Sequence, residues 1–161
     1  MAQTNEKHTI SVLVENHFGV LARVSGLISA RAFNIDSLTV STTEDPTISR
    51  MTIVVDADAI RLEQVKRQLD RLVDVIQVQE LKEGEFVDRE ILLARMTIDG
   101  KARAELESLA KQAGGKLTDV KNGAVVFEAS GDTKTLDALV ERLRPYKIVQ
   151  LVRTGRVALE R

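Results

Sequence analysis

The order strand, helix, strand, strand, helix, strand is written twice along this chain. That repetition limits the possible folds more than any single residue does. In the first copy "HTISVLVE" alternates apolar and polar residues and is rich in β-branched side chains, the pattern of a strand. After Gly19 the period changes, and Leu21, Val24, Leu27 and Ile28 fall three or four apart on one helix face. "NIDSLTVSTT" reads as a second strand. "EDPT" reads as a turn, because Pro46 fixes φ and Asp45 hydrogen-bonds its neighbours. "ISRMTIVVDAD" is a third strand, Leu62, Val65, Leu69 and Leu72 mark a second helix, and "DVIQVQEL" is a fourth strand.

The polar stretch "KEGEFVD", residues 82–88, reads as a linker, and then the order recurs. "REILLARMTID" is a strand. "KARAELESLAKQAG" is a helix with Leu106, Leu109, Ala110 and Ala113 on one face and Gly114 as its stop. "KLTDV" and "AVVFEAS" are strands joined by the hairpin signal "KNG". "DTKTLDALVERLRP" is a helix capped by Asp132 or Thr133, with a Leu136, Leu139, Val140 and Leu143 stripe. "YKIVQLVRT" closes the unit, and "GRVALER" reads as a loose tail. The fold class is therefore α+β, two consecutive ferredoxin-like (βαββαβ) domains, residues 1–81 and 89–161. Right-handed crossovers place both helices of a unit on one face of its sheet. Each unit has about 75 residues, a size at which a lone core is marginal. The open sheet face and edges are expected to associate, giving at least a dimer.

The chemistry-bearing residues are few. The chain has 161 residues, no cysteine and a formal net charge of -1, with charged residues at 29%. Thiolate catalysis and cysteine-ligated metals are excluded, and the missing basic excess argues against nucleic acid or a membrane surface as partner. "MAQTNEKHTI" has no apolar signal core and no run is long enough to span a bilayer, so the expected location is cytoplasmic. Of the two histidines, His8 reads as a surface residue. His17 reads as a solvated loop side chain or a contact near a ligand. No zincin, nucleophile elbow, phosphate loop or Rossmann glycine set occurs, so no catalytic and no metal residue is assigned. A small phosphatase on this fold needs an arginine in the first loop, and Arg23 lies well inside the helix; Arg23 and Arg31 read as solvated or partner-facing. RNA-recognition domains of this topology display aromatics on central strands, and "HTISVLVE" and "SRMTIVV" have none.

The turn "ENHFGV" at the first helix start offers another role. A helix N-terminus presents unpaired N–H groups and partial positive charge, suited to a small carboxylate or phosphate. Gly19 allows close approach, Val20 offers an apolar wall and Asn16 an amide. Across the helix, Asn34 and the carbonyls of Asn34 and Ile35 are acceptors for an ammonium group. The inventory suits a zwitterion with a modest aliphatic side chain, and it equally suits a plain turn. Ala22, Ser25, Gly26, Ser29 and Ala30 form a small-residue stripe along the helix. A mid-helix glycine costs about 1 kcal/mol relative to alanine, so something comes close there, either the same helix of another protomer or a neighbour within the subunit.

The stretch "SVLVENHFGVLARVSGLISARAFNIDSLTVSTTEDPTISRMTIVV" closely resembles the small regulatory subunits of acetolactate synthase (acetohydroxyacid synthase), through "ENxxGVLxRVxGL", "NIxSLTV" and "DPTxSRMT". The resemblance continues through "LEQVKRQLDRLVDVIQVQEL" and "REILLARM" to "KIVQLVRTGRVAL", nearly the whole chain. It implies an N-terminal ACT domain that binds amino acids at a dimer interface. It implies no independent catalysis and no cofactor of the chain's own. It also implies a large catalytic subunit that carries thiamine diphosphate, Mg²⁺ and FAD, whose activity this subunit raises. Feedback inhibition by valine, in branched-chain amino-acid biosynthesis, would act through Asn16, Gly19, Val20, Asn34 and Ile35, with Ala22, Gly26 and Ser29 as interface candidates. His17 and Phe18 would tune the choice among valine, leucine and isoleucine. The alternative is a free-standing ACT-type sensor controlling another enzyme or transcription.

Overall fold

The computed structural model describes residues 6–31, 33–98 and 100–161, the side chains of Lys101 and Asn122 apart. Residues 1–5, which the targeting argument includes, lie outside the described residues, as does Asp99, the last residue of the expected fifth strand. The first half runs β1 (Glu6–Glu15), α1 (Val20–Ala30), β2 (Asn34–Thr42), β3 (Ile48–Ala57), α2 (Ala59–Leu69) and β4 (Val75–Leu81). The second runs β5 (Phe86–Thr97), α3 (Gly100–Gln112), β6 (Lys116–Asp119), β7 (Ala124–Gly131), α4 (Thr133–Leu143) and β8 (Lys147–Arg153), followed by β9 (Val157–Glu160). The expected βαββαβ order is present in both. Between β6 and β7 a single 3-10 turn, Lys121–Gly123, takes the place of a tight hairpin. No described helix is long and apolar enough to cross a membrane.

The chain divides into two compact units, residues 1–87 with 156–161, and residues 88–155. The first unit is an antiparallel sheet in the order β2-β3-β1-β4. Alternation along β1 sends Ile10, Val12 and Val14 to the helix side, where they meet Val24 and Ile28 of α1 and Leu62, Val65 and Leu69 of α2 in one core. The α1 stripe is the expected one at Val24, Leu27 and Ile28, which lie in or against the core; Val20 is buried in place of Leu21, which is exposed. Asp58 caps α2 by accepting from the Arg61 N–H at 2.9 Å.

The opposite face of this sheet is not left open. Residues 156–161, expected to form a loose tail, return to it. The Arg156 carbonyl accepts from the Thr39 hydroxyl at 2.9 Å, and the Arg156 guanidinium donates to the Thr9 hydroxyl at 2.6 Å. Ala158 is buried, β9 pairs with β5, which begins in this unit, and the Arg161 N–H donates to the Glu85 carbonyl at 3.0 Å. Thr9, Ser11 and Thr52, which alternate away from the helices, are buried in consequence. A strand of four residues is too short to declare itself by period, which is why the tail reads as loose in the sequence.

The second unit repeats the topology as β6-β7-β5-β8. Leu92, Ala94 and Met96 of β5 pack with Leu106 and Leu109 of α3, Phe127 of β7, and Leu136, Leu139 and Leu143 of α4. Asp132 is the cap of α4 and accepts from the Thr135 N–H at 2.7 Å. Gly114, at φ +64, ends α3 as the sequence indicates.

Candidate functional site

Strand β1 delivers the chain to residues 16–19 at one end of the first sheet, and this turn is held from two sides. On one side the Asn16 N–H donates to the Thr47 carbonyl at 2.7 Å, and the Asn16 amide Nδ2 donates to the Pro46 carbonyl at 2.8 Å. The β2–β3 turn that provides these carbonyls is itself closed by Asp45, whose carboxylate accepts from the Thr47 N–H and hydroxyl at 2.8 and 2.6 Å. Those bonds, the hydroxyl's first, hold the Asp45 carboxyl below its ordinary value. One of the two N–H donors of the Asn16 amide is thus used within the chain.

On the other side stands Asp74, in the turn between α2 and β4 and only 5% exposed. Its carbonyl accepts from the Glu15 N–H at 2.9 Å. One carboxylate oxygen lies 3.0 Å from His17 Nε2, and the other 2.7 Å from Arg23 Nη1. The same His17 nitrogen lies 3.3 Å from the Glu15 carboxylate, and His17 Nδ1 lies 3.1 Å from the Phe18 carbonyl. His17, read from the sequence as a solvated loop side chain or a contact near a ligand, and Arg23, read as solvated or partner-facing, are both tied to Asp74. His8, read as a surface residue, is partly buried and 3.4 Å from the Glu80 carboxylate. Asp74 gives no periodic signal, because an acid in a turn normally reads as solvated.

At Gly19 the backbone turns left-handed, φ +88 and ψ -11, the region that favours glycine. Helix α1 starts there with no side-chain cap, in contrast to α2 and α4, each capped by an aspartate. Its first N–H groups keep their partial positive charge for an outside anion. A side chain at position 19 would lie 3.7 Å from Arg23 Nη2, so this guanidinium borders the same spot. Val20 is 3% exposed and belongs to the core; it presents a backbone N–H to the site and not the apolar wall expected of it. Phe18, in contrast, is 98% exposed.

Asn34 and Ile35 begin β2 at the other end of the sheet. Asn34 is paired with Asp56, which also pairs with Lys7 of β1. From Lys7 to Glu15 is about 26 Å at 3.3 Å per residue. The Asn34 amide donates to the Asp36 carboxylate at 3.1 Å, and Ile35 is packed against the core. One chain therefore does not bring Asn16, Gly19 and Val20 together with Asn34 and Ile35. Along the intervening helix Ala22, Gly26 and Ser29 are exposed, and a Cβ added at Gly26 would meet nothing within 4 Å. Close packing inside the protomer is thus not the reason for the small residues.

A βαββαβ unit with the 2-3-1-4 strand order is the ferredoxin-like arrangement that ACT domains share with other families, here followed by a second unit of like topology. The comparisons agree in both halves. The family model described as "AHAS small subunit-like ACT domain" matches residues 10–77, and the one described as "Small subunit of acetolactate synthase" matches residues 89–161. A "Probable acetolactate synthase small subunit" of Archaeoglobus fulgidus is 45% identical over 155 residues, 96% of this chain and 97% of the relative. The acetolactate synthase small subunit of Haemophilus influenzae is 43% identical over 96% of each chain. The crystal structure of the acetolactate synthase small subunit from Thermotoga maritima superimposes with a TM-score of 0.88 at 32% identity, covering 97% of this chain and 98% of that one. The chain belongs to the family of acetolactate synthase small subunits.

Proposed function

We propose that this chain is a non-catalytic regulatory subunit that raises the activity of the large acetolactate synthase subunit and makes it sensitive to valine. The thiamine diphosphate, Mg²⁺ and FAD of the reaction belong to the large subunit, and this chain contributes an effector site. Two copies associate through their ACT units. The valine carboxylate lies on the N–H groups at Gly19 and Val20 of one copy, beside Asn16. Its ammonium group meets acceptors around Asn34 and Ile35 of the other. The observation that carries this reading is the start of α1, where a left-handed glycine and the lack of a side-chain cap leave the helix terminus open. The roughly 26 Å between the two half-sites in one chain is the reason a second copy is required. A ligand shared by two copies inhibits only by favouring one arrangement of them over another.

The test is to mix the chain with the large subunit and follow pyruvate condensation with and without valine. Mixing should raise the rate and valine should lower it. A Gly19→Asp chain places a carboxylate where that of valine would lie, and aspartate tolerates both the left-handed backbone and a helix N-cap. It should need at least about tenfold more valine for half inhibition, about 1.4 kcal/mol of lost binding. Unchanged sensitivity would remove Gly19 from the site, and an unchanged rate on mixing would remove the activator role.

A further inference from the structure

The three acceptor-rich groups Glu15, His17 and Asp74 bring one ligand atom each within 4.8 Å of one another, the spacing of a metal site. The fourth member of the cluster decides against that reading. Arg23 Nη1 occupies the second oxygen of Asp74 at 2.7 Å, so the charge of the most buried carboxylate is already met by a fixed cation. The cluster is an ion-pair knot. Its members are not scattered: Glu15 ends β1, His17 lies inside the turn, Arg23 lies in the first turn and a half of α1, and Asp74 reaches all three from a different loop.

We infer that Asp74 is the positioning residue of the effector turn. It touches no ligand. It acts through His17 and Arg23, which bracket Gly19, and through the Glu15 N–H, which fixes where the turn leaves the sheet. With these tethers the N–H groups of α1 are aimed before a ligand arrives, so less ordering is charged to binding. The aspartate form matters through Arg23: its carboxylate gives that guanidinium a charged acceptor at 2.7 Å, whereas an asparagine offers only a neutral one. Asp74 also places Arg23 Nη2 near the spot a carboxylate would occupy, since the other end of that guanidinium is the one it holds.

The inference rests on the proposed valine site, and the experiment separates the two. Asp74→Asn, Arg23→Gln and Gly19→Asp chains are each combined with the large subunit and titrated with valine, and the rate is expressed relative to the valine-free rate of the same mixture. For Asp74→Asn the half-inhibiting valine concentration should rise at least tenfold, while saturating valine still reaches the wild-type extent of inhibition. A merely structural defect would reduce the extent, through a fraction of unfolded chains, and leave the concentration in place. Arg23→Gln, which alters the exposed partner and leaves the buried acid intact, should shift the concentration in the same direction, and it carries the test if Asp74→Asn fails to fold. The Asp74→Asn/Arg23→Gln double variant should shift it less than the two single shifts multiplied together, because both cut the same tether. Wild-type sensitivity in Asp74→Asn and Arg23→Gln beside a desensitised Gly19→Asp would overturn the positioning role alone. Sensitivity retained in Gly19→Asp would overturn the site itself.

Discussion

Each of the two units buries one carboxylate among the described residues, and the two are used differently. Asp74 in the first unit and Glu90 in the second are each 5% exposed. Glu90 sits on β5, and its partners are elements of the fold: Arg153 of β8, at 2.7 Å, and the Thr133 hydroxyl at the start of α4, at 2.6 Å. Arg153 is itself partly buried and reaches on to Asp137. Asp74 is bound to a turn and to a half-exposed arginine, groups that water also reaches. The same topology therefore spends its buried acid on joining strand to helix in one half and on aiming a loop in the other. Likeness of fold says little about where a unit's polar interior is committed.

The largest effect should come from the second unit. Glu90→Ala leaves Arg153 with Asp137 alone and takes the Glu90 acceptor from the Thr133 hydroxyl, and should cost about 2–3 kcal/mol, seen as a lower midpoint in urea unfolding. A loss as small as that of Asp74→Ala would break the comparison, since the partners of Asp74 can be rehydrated. Next, Asp132→Ala removes the α4 cap and should cost about 1 kcal/mol. The Thr135 N–H, then its hydroxyl, hold the Asp132 carboxyl below its ordinary value. The stabilisation is therefore present above the unfolded value of about 4 and is lost as pH falls through the lower folded value. Thermal scans from pH 6 to pH 2 should show the wild type and the variant converging at the acid end; α1, which has no such cap, contributes nothing to this pH dependence. The smallest effect sharpens the first unit. Gly26→Ala should stabilise α1 by up to about 1 kcal/mol in a free protomer. If the exposed stripe meets a second copy, sedimentation should show weaker dimerisation at the same time; a higher melting point with unaltered self-association would free the stripe from that role.

Periodicity exposed the fold because each β1-like or α4-like segment repeats its apolar spacing often enough to be counted. Leu136, Leu139 and Leu143 are core residues in fact as in pattern. The left-handed turn before α1 is legible for a related reason: a glycine between a strand and a helix, with an asparagine three residues before it, announces a backbone requirement locally. Val20 shows the limit: it is buried in the core where the spacing puts Leu21, which is exposed. Asp74 and the 156–161 segment were not legible, because their meaning lies in partners far along the chain: Asp74 is fifty-one residues from Arg23, and Arg156 bonds to Thr9 and Thr39. Isolated polar contacts at such separation leave no spacing to read.

The return of residues 156–161 makes the second compact unit, in sequence, an insertion within the first. Synthesis and folding from the N-terminus therefore complete the second unit's residues before the last strand of the first exists. Until then Thr9, Ser11 and Thr52, buried in the finished fold, are hydrated groups on a bare sheet.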